Sequence, residues 1–306
     1  MKAYSVSPSG ERFNLPLEKH YGAEEARLEG LVAEAQQAGR EVVAVVGVGY
    51  VGSVMAGVIA DAKDDDGNPA KLVMAYQRPS ERSFWKVPVL NRGESPVRAD
   101  DPEVSRLTAE CVRESKTLTA TYHPAALEMA DCVVVDVQCD YLKPELGNMR
   151  SGRADVSALE DALELIGERI PGKCLVLIET TIPPGTTERM AWPILKRAFA
   201  KRKMNLVPLL AHSFERGSPG RNFVASIRGA RRVCAGCTPE AGERAEKFLR
   251  QVLDTETAPL TMMERPIEVE TVKMVENSYR CALLAVMHEW SIFAERAEVD
   301  LLKIID

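Results

Sequence analysis

The chain has 306 residues, of which 45% are hydrophobic and 27% charged, a composition that can bury the core of one large domain or two ordinary ones. Its formal net charge of −6 argues against a general nucleic-acid-binding protein and against a basic protein of membrane surfaces. The polar N-terminus has no apolar signal segment, and no uncharged apolar stretch is long enough to span a membrane. We therefore expect a cytoplasmic protein.

The N-terminal 40 residues precede the first strongly apolar run. Residues 1–22 are polar and turn-rich, which predicts an extended arm. Residues 23–40 have helical spacing of Ala, Leu and Val, and Gly39 is a typical helix stop signal. We therefore treat residues 1–40 as an arm and helix that stand before the main domain.

From residue 41 onward, short apolar runs alternate with helical stretches, which is typical of a mostly parallel, doubly wound α/β sheet. The predicted strands cover 41–48, 71–76, 116–122, 132–137, 173–180, 206–213 and 231–236. The predicted helices cover 50–63, 101–115, 155–169, 184–202 and 238–253. Pro193 predicts a kink or a helix start within its segment. After the main domain (41–265), residues 266–306 are predicted to form one long helix.

The first apolar run ends in the sequence VVAVVGVGYVG, which spaces Gly47, Gly49 and Gly52 as G-x-G-x-x-G. In a Rossmann-type fold these glycines allow a tight turn, the approach of a pyrophosphate and close packing of helix on strand. The first helical turn, which includes Tyr50 and Val51, then directs free N–H groups at the phosphates. Because the motif follows a strand and opens a helix, it predicts a dinucleotide site rather than a tight turn that binds nothing.

The second strand ends in AYQRPS, where an acidic residue is expected to bind the adenosine ribose hydroxyls. Tyr76 stands at that position, with Gln77 and Arg78 beside it. An arginine there can pair with the 2′-phosphate of NADP, stack on adenine or remain solvated. The sequence thus leaves the choice between NAD and NADP open at this site.

Seven cysteines are scattered along the chain, several of them in apolar runs, which is typical of buried free thiols in a reducing compartment. Only Cys234 and Cys237 form a close pair. A zinc site needs further ligands at matching spacing, and the four dispersed histidines form no ligand motif. We therefore predict no metal site.

The segment TVKMVENSYR places Lys273 and Asn277 four residues apart, so both lie on one face of the last predicted helix. His288 falls close to the same face further along. A lysine and an amide aligned on a largely apolar helix are either a solvated stripe or a pair of catalytic donors.

Five segments, in this order, resemble the nucleotide-sugar 6-dehydrogenases, the family of UDP-glucose, UDP-N-acetylmannosamine and GDP-mannose dehydrogenases. They are GVGYVG (47–52), LNRGESPV (90–97), ETTIPPGTTE (179–188), SFERGSPGR (213–221) and EVETVKMVENSYR (268–280). The resemblance implies a Rossmann-type domain followed by a central helix, with NAD as cofactor. It also implies a nucleotide-sugar substrate whose C6 alcohol is oxidised to a carboxylate in two hydride transfers.

The resemblance also assigns roles to individual residues. Lys273 and Asn277 are expected to donate to the oxygen bonded to C6, and preorganised donors of this kind stabilise developing charge. Glu215 is expected near the reacting carbon, and Thr181 near the nicotinamide with the catalytic water. Gln138 and Cys139, at the end of the fourth strand, are expected beside the cofactor, although the family has Thr-Pro where this chain has Cys-Asp.

The family's cysteine nucleophile follows the central helix in a Gly-rich segment, and a second α/β domain there binds the nucleotide sugar. None of the seven cysteines lies in such a segment, and Cys281 lies within the predicted helix itself. We therefore expect these residues to be the N-terminal, cofactor-binding portion of a longer enzyme, inactive by itself. The apolar face of the long helix needs a partner surface, which suggests a homodimer.

Two alternatives remain from the sequence. A two-electron dehydrogenase of the β-hydroxyacid type also combines a glycine turn with a Lys and an Asn one helical turn apart. It needs no cysteine, but LNRGESPV and TTIPPGTTE are typical of the sugar-nucleotide enzymes instead. The other alternative is a nucleotide-binding or assembly module without catalysis.

Overall fold

The computed structural model describes residues 3–145, 148 and 151–305. The strands are β1 (Tyr4–Val6), β2 (Arg12–Asn14), β3 (Glu41–Val46), β4 (Lys71–Tyr76), β5 (Leu118–Thr121), β6 (Cys132–Val135), β7 (Asp140–Leu142), β8 (Arg153–Asp155), β9 (Leu175–Ile178), β10 (Leu209–His212), β11 (Arg232–Gly236) and β12 (Leu260–Met262). The helices are α1 (Tyr21–Gln37), α2 (Tyr50–Ala60), α3 (Lys86–Asn91), α4 (Pro102–Ala109), α5 (Ala125–Glu128), α6 (Ser157–Arg169), α7 (Trp192–Lys201), α8 (Phe223–Gly229), α9 (Pro239–Val252), α10 (Pro266–Arg296) and α11 (Leu301–Ile305).

Eight strands form one sheet in the order β12-β11-β10-β9-β6-β3-β4-β5. All neighbours from β5 to β10 pair in parallel. Strand β11 is antiparallel to β10, and β12 pairs with β11 in parallel. The chain thus runs from β3 outward to β5, crosses back to β6 and continues to β10. This order confirms the predicted doubly wound, Rossmann-type sheet.

Both faces of the sheet are covered by helices, so its strands consist of continuous apolar residues. Val43 and Val45 of β3 pack on one face into a core shared with α2, α4, α8 and α9. Ala44 and Val46 pack on the other face into a core shared with α6 and α7. The run EVVAVV therefore folds as a central strand because each alternate side chain meets a different helical layer.

The N-terminal residues fold back onto the domain, so the prediction of an extended arm was wrong. Strands β1 and β2 form an antiparallel hairpin, and the Trp85 amide donates to Ser5 Oγ at 3.2 Å. Helix α1 packs Leu28 and Val32 into a cluster with Val42 of β3 and with β4. The apolar positions of α1 thus extend the helical layer that α6 and α7 form.

Short elements account for most of the other differences from the sequence predictions. The segment predicted as 184–202 begins with a π-helical turn (Thr187–Ala191), and α7 follows it with Pro193 in its first turn. Pro193 therefore marks a helix start, as predicted. The sequence did not predict α3, α5, α8, β7, β8 or β12, each of which has seven residues or fewer.

The long C-terminal helix does not run to the end of the described chain, which corrects the prediction of one helix over residues 266–306. Helix α10 ends at Arg296, and Glu298 adopts a left-handed backbone with φ 55°. The Val299 amide donates to the Ala294 carbonyl at 3.0 Å, and the Glu298 amide donates to the Glu295 carbonyl at 3.3 Å. These two bonds form a Schellman motif, which closes a helix. Like every other described helix, α10 lacks the combination of length and apolar character needed to cross a membrane.

Candidate active site

The carboxyl ends of β3 and β6 lie side by side, at the point where the strand order reverses. In open α/β sheets this reversal creates a crevice in which ligands bind. A cavity of about 150 Å³ lies there, and three of the predicted cofactor-binding residues, Gly47, Tyr76 and Arg78, line it. Its opposite wall is formed by one face of α6, which includes Asp161. The structure thus brings the glycine turn and the end of β4 to one crevice.

Two of the three motif glycines are required by close backbone packing. Gly47 has φ 107°, and a Cβ there would lie 2.3 Å from the carbonyl oxygen of Asp136. A Cβ on Gly52 would lie 2.0 Å from the carbonyl oxygen of Gly47. A Cβ on Gly49 would meet no atom within 4 Å, so this residue faces open space. The backbone of this turn, which we call the glycine cradle, therefore leaves room at Gly49 for the approach of a pyrophosphate.

Helix α2 starts at this cradle without a side-chain cap. Gly49 is the N-cap residue, and the amides of Tyr50, Val51 and Gly52 form the first turn, where N–H groups have no intrahelical acceptor. The Tyr50 ring stacks on Phe223 with ring centroids 5.2 Å apart. The backbone amides of this turn are thus available to an anion, whereas the Tyr50 ring packs on Phe223.

The end of β4 carries no acidic side chain. Tyr76 is 6% exposed, and burial raises the pKa of its phenol. Gln77 Oε1 accepts a hydrogen bond from the Val48 amide at 3.1 Å, which ties the glycine turn to the chain after β4. Arg78 Nη1 lies 3.5 Å from Asp161 Oδ2 across the crevice. The nearest acidic partner of Arg78 thus comes from α6 and not from β4.

Gln138 and Cys139 follow β6 and lead into β7. Gln138 Nε2 donates to Asp140 Oδ1 at 2.6 Å. Burial, with the charges of Asp140 and Asp155, raises the pKa of the Cys139 thiol. On this side the cavity beside the glycine turn is lined by Val137 rather than by Gln138 or Cys139.

The loop after β9 contains the half-buried Thr181 and is fastened to α10 by one carboxylate. Glu270 is fully buried and accepts hydrogen bonds from the Gly185 amide, from the Thr187 amide at 2.8 Å and from Thr187 Oγ1 at 2.7 Å. Because Lys273 follows Glu270 by one helical turn, this contact fixes the lysine relative to the Thr181 loop.

Lys273 and Glu215 meet at the end of β10. Lys273 Nζ donates to the Glu215 carbonyl oxygen at 3.1 Å and lies 5.1 Å from the centroid of the Phe214 ring. Burial lowers the pKa of Lys273, against the opposing effect of Glu215. Asn277 is exposed one turn further along α10. Two of the four predicted catalytic residues are thus in direct contact.

Five polar side chains lie at or next to the carboxyl ends of β6, β9 and β10. Glu179, His212, Ser213 and Arg232 are buried, whereas Asp136 is half-buried with its Oδ2 atom buried. Both Glu179 carboxylate oxygens, both His212 ring nitrogens, Asp136 Oδ2 and Ser213 Oγ lack a hydrogen-bond partner among the described residues. Arg232 Nη2 lies 3.4 Å from Glu179 Oε1, and its Nη1 donates to the Phe214 carbonyl.

Burial biases Asp136, Glu179 and His212 toward their neutral forms. It raises the pKa of Glu179 to about 7, although Arg232 opposes the shift. It also raises the pKa of Asp136 well above its usual range, an effect that the charges of Glu179 and Glu215 strengthen. The pKa of His212 is lowered by burial to about 3. Polar groups of this kind cluster at functional sites.

Sequence reasoning did not single out Asp136, Asp161, Glu179, Arg232 or Glu270. Two of them have a signal in the sequence: Asp136 interrupts the apolar run CVVVDV, and Glu179 directly precedes the Thr-Thr of ETTIPPG. Glu270 lies within the segment EVETVKMVENSYR, and Asp161 and Arg232 lie among ordinary charged residues of a helix and a strand. The partners of these three residues are revealed only by the folded chain.

Comparison with known proteins matches residues 41–253 to the model of the UDP-glucose/GDP-mannose dehydrogenase family, NAD binding domain. The chain belongs to this family. NAD is accordingly the cofactor of the domain, and the glycine cradle is consistent with it.

Curated relatives of the family include the UDP-N-acetyl-D-mannosamine dehydrogenase of Pyrococcus horikoshii. It is 27% identical over 264 residues, which cover 86% of this chain and 56% of the relative. The UDP-glucose 6-dehydrogenase of Pseudomonas aeruginosa is 26% identical, over 84% of this chain and 52% of the relative. The chain therefore spans about half the length of the curated relatives it matches.

Solved structures of the family have the same fold. The NDP-N-acetyl-D-galactosaminuronic acid dehydrogenase of Methanosarcina mazei Go1 superposes with a TM-score of 0.69 at 28% identity, covering 87% of this chain and 52% of that one. The UDP-D-ManNAc dehydrogenase of Pyrococcus horikoshii gives a TM-score of 0.70 at 26% identity, covering 86% and 56%.

Replacement of Gly49 tests the pyrophosphate cradle. Gly49→Val places a side chain in open space, so the fold should persist while NAD binding weakens by at least about tenfold. Isothermal titration with NADH measures the affinity, and urea unfolding checks the fold. Gly52→Ala is the matched contrast, because its Cβ overlaps backbone and should lower the free energy of unfolding. Equal NADH affinity in wild type and Gly49→Val contradicts the assignment.

Replacement of Glu179 tests the buried acid. Because its pKa is raised from 4.5 to about 7 in the folded state, its contribution to stability is complete below pH 4.5 and is lost as the pH rises through 7. The slope is about −1.4 kcal/mol per pH unit between these values. His212, with a lowered pKa, has the opposite slope below pH 6.5, so wild type and Glu179→Gln must be compared directly.

Urea unfolding of both proteins at several pH values between 4.5 and 7 provides this comparison. The difference in the free energy of unfolding, wild type minus Glu179→Gln, should fall with rising pH. Glu160→Gln, an exposed acid on α6, is the control and should show no such change. A constant difference across the range would mean that Glu179 is ionised throughout.

Proposed function

We propose that this chain is the cofactor-binding portion of an enzyme that oxidises the C6 alcohol of a nucleotide sugar to a carboxylate. The observation that supports the proposal most directly is the contact between Lys273 and the Glu215 carbonyl. It brings a half-buried cation from α10 to the carboxyl end of β10, at the same edge of the parallel sheet as the glycine turn after β3. A dinucleotide that enters at the glycine turn extends across these strand ends.

The proposed residues act on the alcohol and on the water around it. NAD, when bound, supplies the hydride acceptor. Lys273 and Asn277 donate hydrogen bonds to the oxygen on C6, where negative charge develops as the hydroxyl proton leaves and before the hydride is transferred. Thr181 and Glu215 hold a water that accepts the hydroxyl proton. The hydrogen bond from the Gly217 amide to Glu215 Oε2 keeps that carboxylate at the site.

The second oxidation needs a nucleophile that adds to the aldehyde and so creates a carbon from which a second hydride can leave. A reactive cysteine needs thiolate character, which a lowered pKa supplies. The pKa of Cys139, the cysteine next to the crevice, is raised instead. Cys281 is exposed on α10, beyond Lys273 and Asn277. We therefore propose that the nucleophile does not come from these 306 residues.

Turnover of the 306-residue chain and of the longer enzyme tests these roles. The chain alone should bind NADH but should produce no carboxylate from UDP- or GDP-sugars. Joined to the C-terminal portion of a family enzyme, it should release two NADH per sugar. In that form Lys273→Ala should lower kcat by roughly 10²–10³-fold, the size expected for one lost oxyanion-type donor. Arg280→Ala, an exposed cation further along α10, is the control.

Three outcomes contradict the account. Carboxylate formation by the 306-residue chain would identify a thiol within it, and Cys281 would be the first to replace. Oxidation of a β-hydroxyacid with one NADH per substrate would favour the two-electron alternative. NADH binding without turnover in every joined form would favour the non-catalytic module.

We also propose that the chain forms a homodimer through α10. Large apolar side chains are exposed along this helix, among them Tyr279 at 68%, Leu284 at 65% and Phe293 at 57%. An open groove of about 670 Å³ lies along its first turns. An apolar stripe of this length is expected to pack against a second surface, and the same helix of a second copy is self-complementary.

Sedimentation velocity at micromolar concentration tests the dimer. The wild type should sediment as a dimer, and Leu284→Glu should shift it to the monomer because a charge would be buried in the apolar stripe. Ala200→Glu adds the same charge at an exposed position of α7 and should leave the dimer intact. A monomeric wild type would contradict the proposed dimer.

A further inference from the structure

Among the residues that the structure describes, the cavity beside Gly47 has no acidic side chain from β4, the strand whose end normally supplies the acid that binds the adenosine ribose. In a Rossmann-type domain the adenosine ribose lies at the end of the second strand of the fold, here β4, where an acid accepts from its hydroxyls. Strand β4 ends in Tyr76, which is buried and packs into the apolar core on the α6 side of the sheet. A phenol held there cannot replace an exposed carboxylate as a paired acceptor for ribose hydroxyls.

The opposite wall of the cavity does supply a carboxylate. Helix α6 lines it with Ala158, Asp161, Ala162 and Leu165, which lie on one helical face. The neighbours of Asp161 on this face are small or apolar, so its carboxylate is the acidic group that this wall presents. Its side chain is 64% exposed, and therefore remains accessible to a ligand in the crevice.

Arg78 connects the two walls. Its Nη1 lies 3.5 Å from Asp161 Oδ2, and its side chain is 73% exposed. A solvated pair of this kind contributes little to stability, so a ligand can open it at small cost. A ribose hydroxyl can donate to Asp161 without disturbing the charge balance. A 2′-phosphate would meet the negative charge of Asp161, and the same carboxylate partly neutralises the guanidinium that could hold the phosphate.

We propose that Asp161 on α6 is the acid that binds the adenosine ribose hydroxyls in this protein, and that its pairing with Arg78 sets the preference for NAD over NADP. The inference rests on dinucleotide binding at the glycine turn, which is also part of the proposed function. It does not depend on the sugar substrate or on catalysis.

Titration of NADH and NADPH into the purified chain tests the inference without any turnover. Asp161→Asn removes the negative charge with little change in shape and frees Arg78. The variant should bind NADH about tenfold more weakly and NADPH at least about fivefold more tightly than the wild type. In the double variant Asp161→Asn with Arg78→Ala, the gain for NADPH should disappear.

Glu160→Gln is the matched control, because Glu160 is the exposed acid next to Asp161 on α6 and does not line the cavity. It should leave the ratio of the two affinities unchanged. The inference is wrong if Asp161→Asn changes the affinities for NADH and NADPH by the same factor, or if it has no more effect than Glu160→Gln. Either result would mean that Asp161 does not bind the ribose hydroxyls. Failure of the wild type to bind either cofactor would contradict the glycine-turn site itself.

Discussion

The buried carboxylate of Glu270 is the contact on which the geometry of the candidate site depends. It receives hydrogen bonds from Gly185 and Thr187, which lie more than 80 residues earlier in the chain. The hydrogen bonds from these donors offset the cost of burying the carboxylate, and removing it would leave the donors unpaired. Because Lys273 lies one turn later on α10, the same contact places this lysine against Phe214 and Glu215.

The carboxyl ends of β6, β9 and β10 carry polar side chains in a fold whose strands are otherwise apolar. Burial favours the neutral forms of Asp136, Glu179 and His212, although Arg232 opposes the shift at Glu179. The carboxyl ends of these strands are therefore polar, and their acids are biased toward the neutral form. Glu179, with its pKa at about 7, is the member whose charge changes near neutral pH.

The sheet, the glycine turn and the start of α7 could be predicted from sequence because each depends on local rules. Valine runs covered on both faces, glycines without room for a Cβ, and the fixed φ of Pro193 are examples. The end of α10 could not be predicted in this way. Its left-handed residue is Glu298, whereas the usual signal for such a helix stop is glycine.

Contacts between residues that are far apart in the chain also could not be predicted from the sequence. Arg78 and Asp161 are 83 residues apart, and neither belongs to a motif that predicts the other. The sequence showed only that β4 ends in Tyr76 instead of an acid. It could not show which element would supply a carboxylate in its place, because that depends on how α6 packs against the sheet.

If the acid that binds the ribose hydroxyls is on α6 and not on β4, a different part of the fold holds it in position. An acid at the end of β4 would be fixed by the hydrogen bonds of the sheet. Asp161 is fixed by the packing of α6, whose Leu159, Leu163 and Ile166 are fully buried against the sheet. Shortening one of these side chains would leave a cavity under α6, and relaxation of the helix into that cavity would move Asp161. In this proposal, binding of the ribose hydroxyls depends on the apolar core between α6 and the sheet.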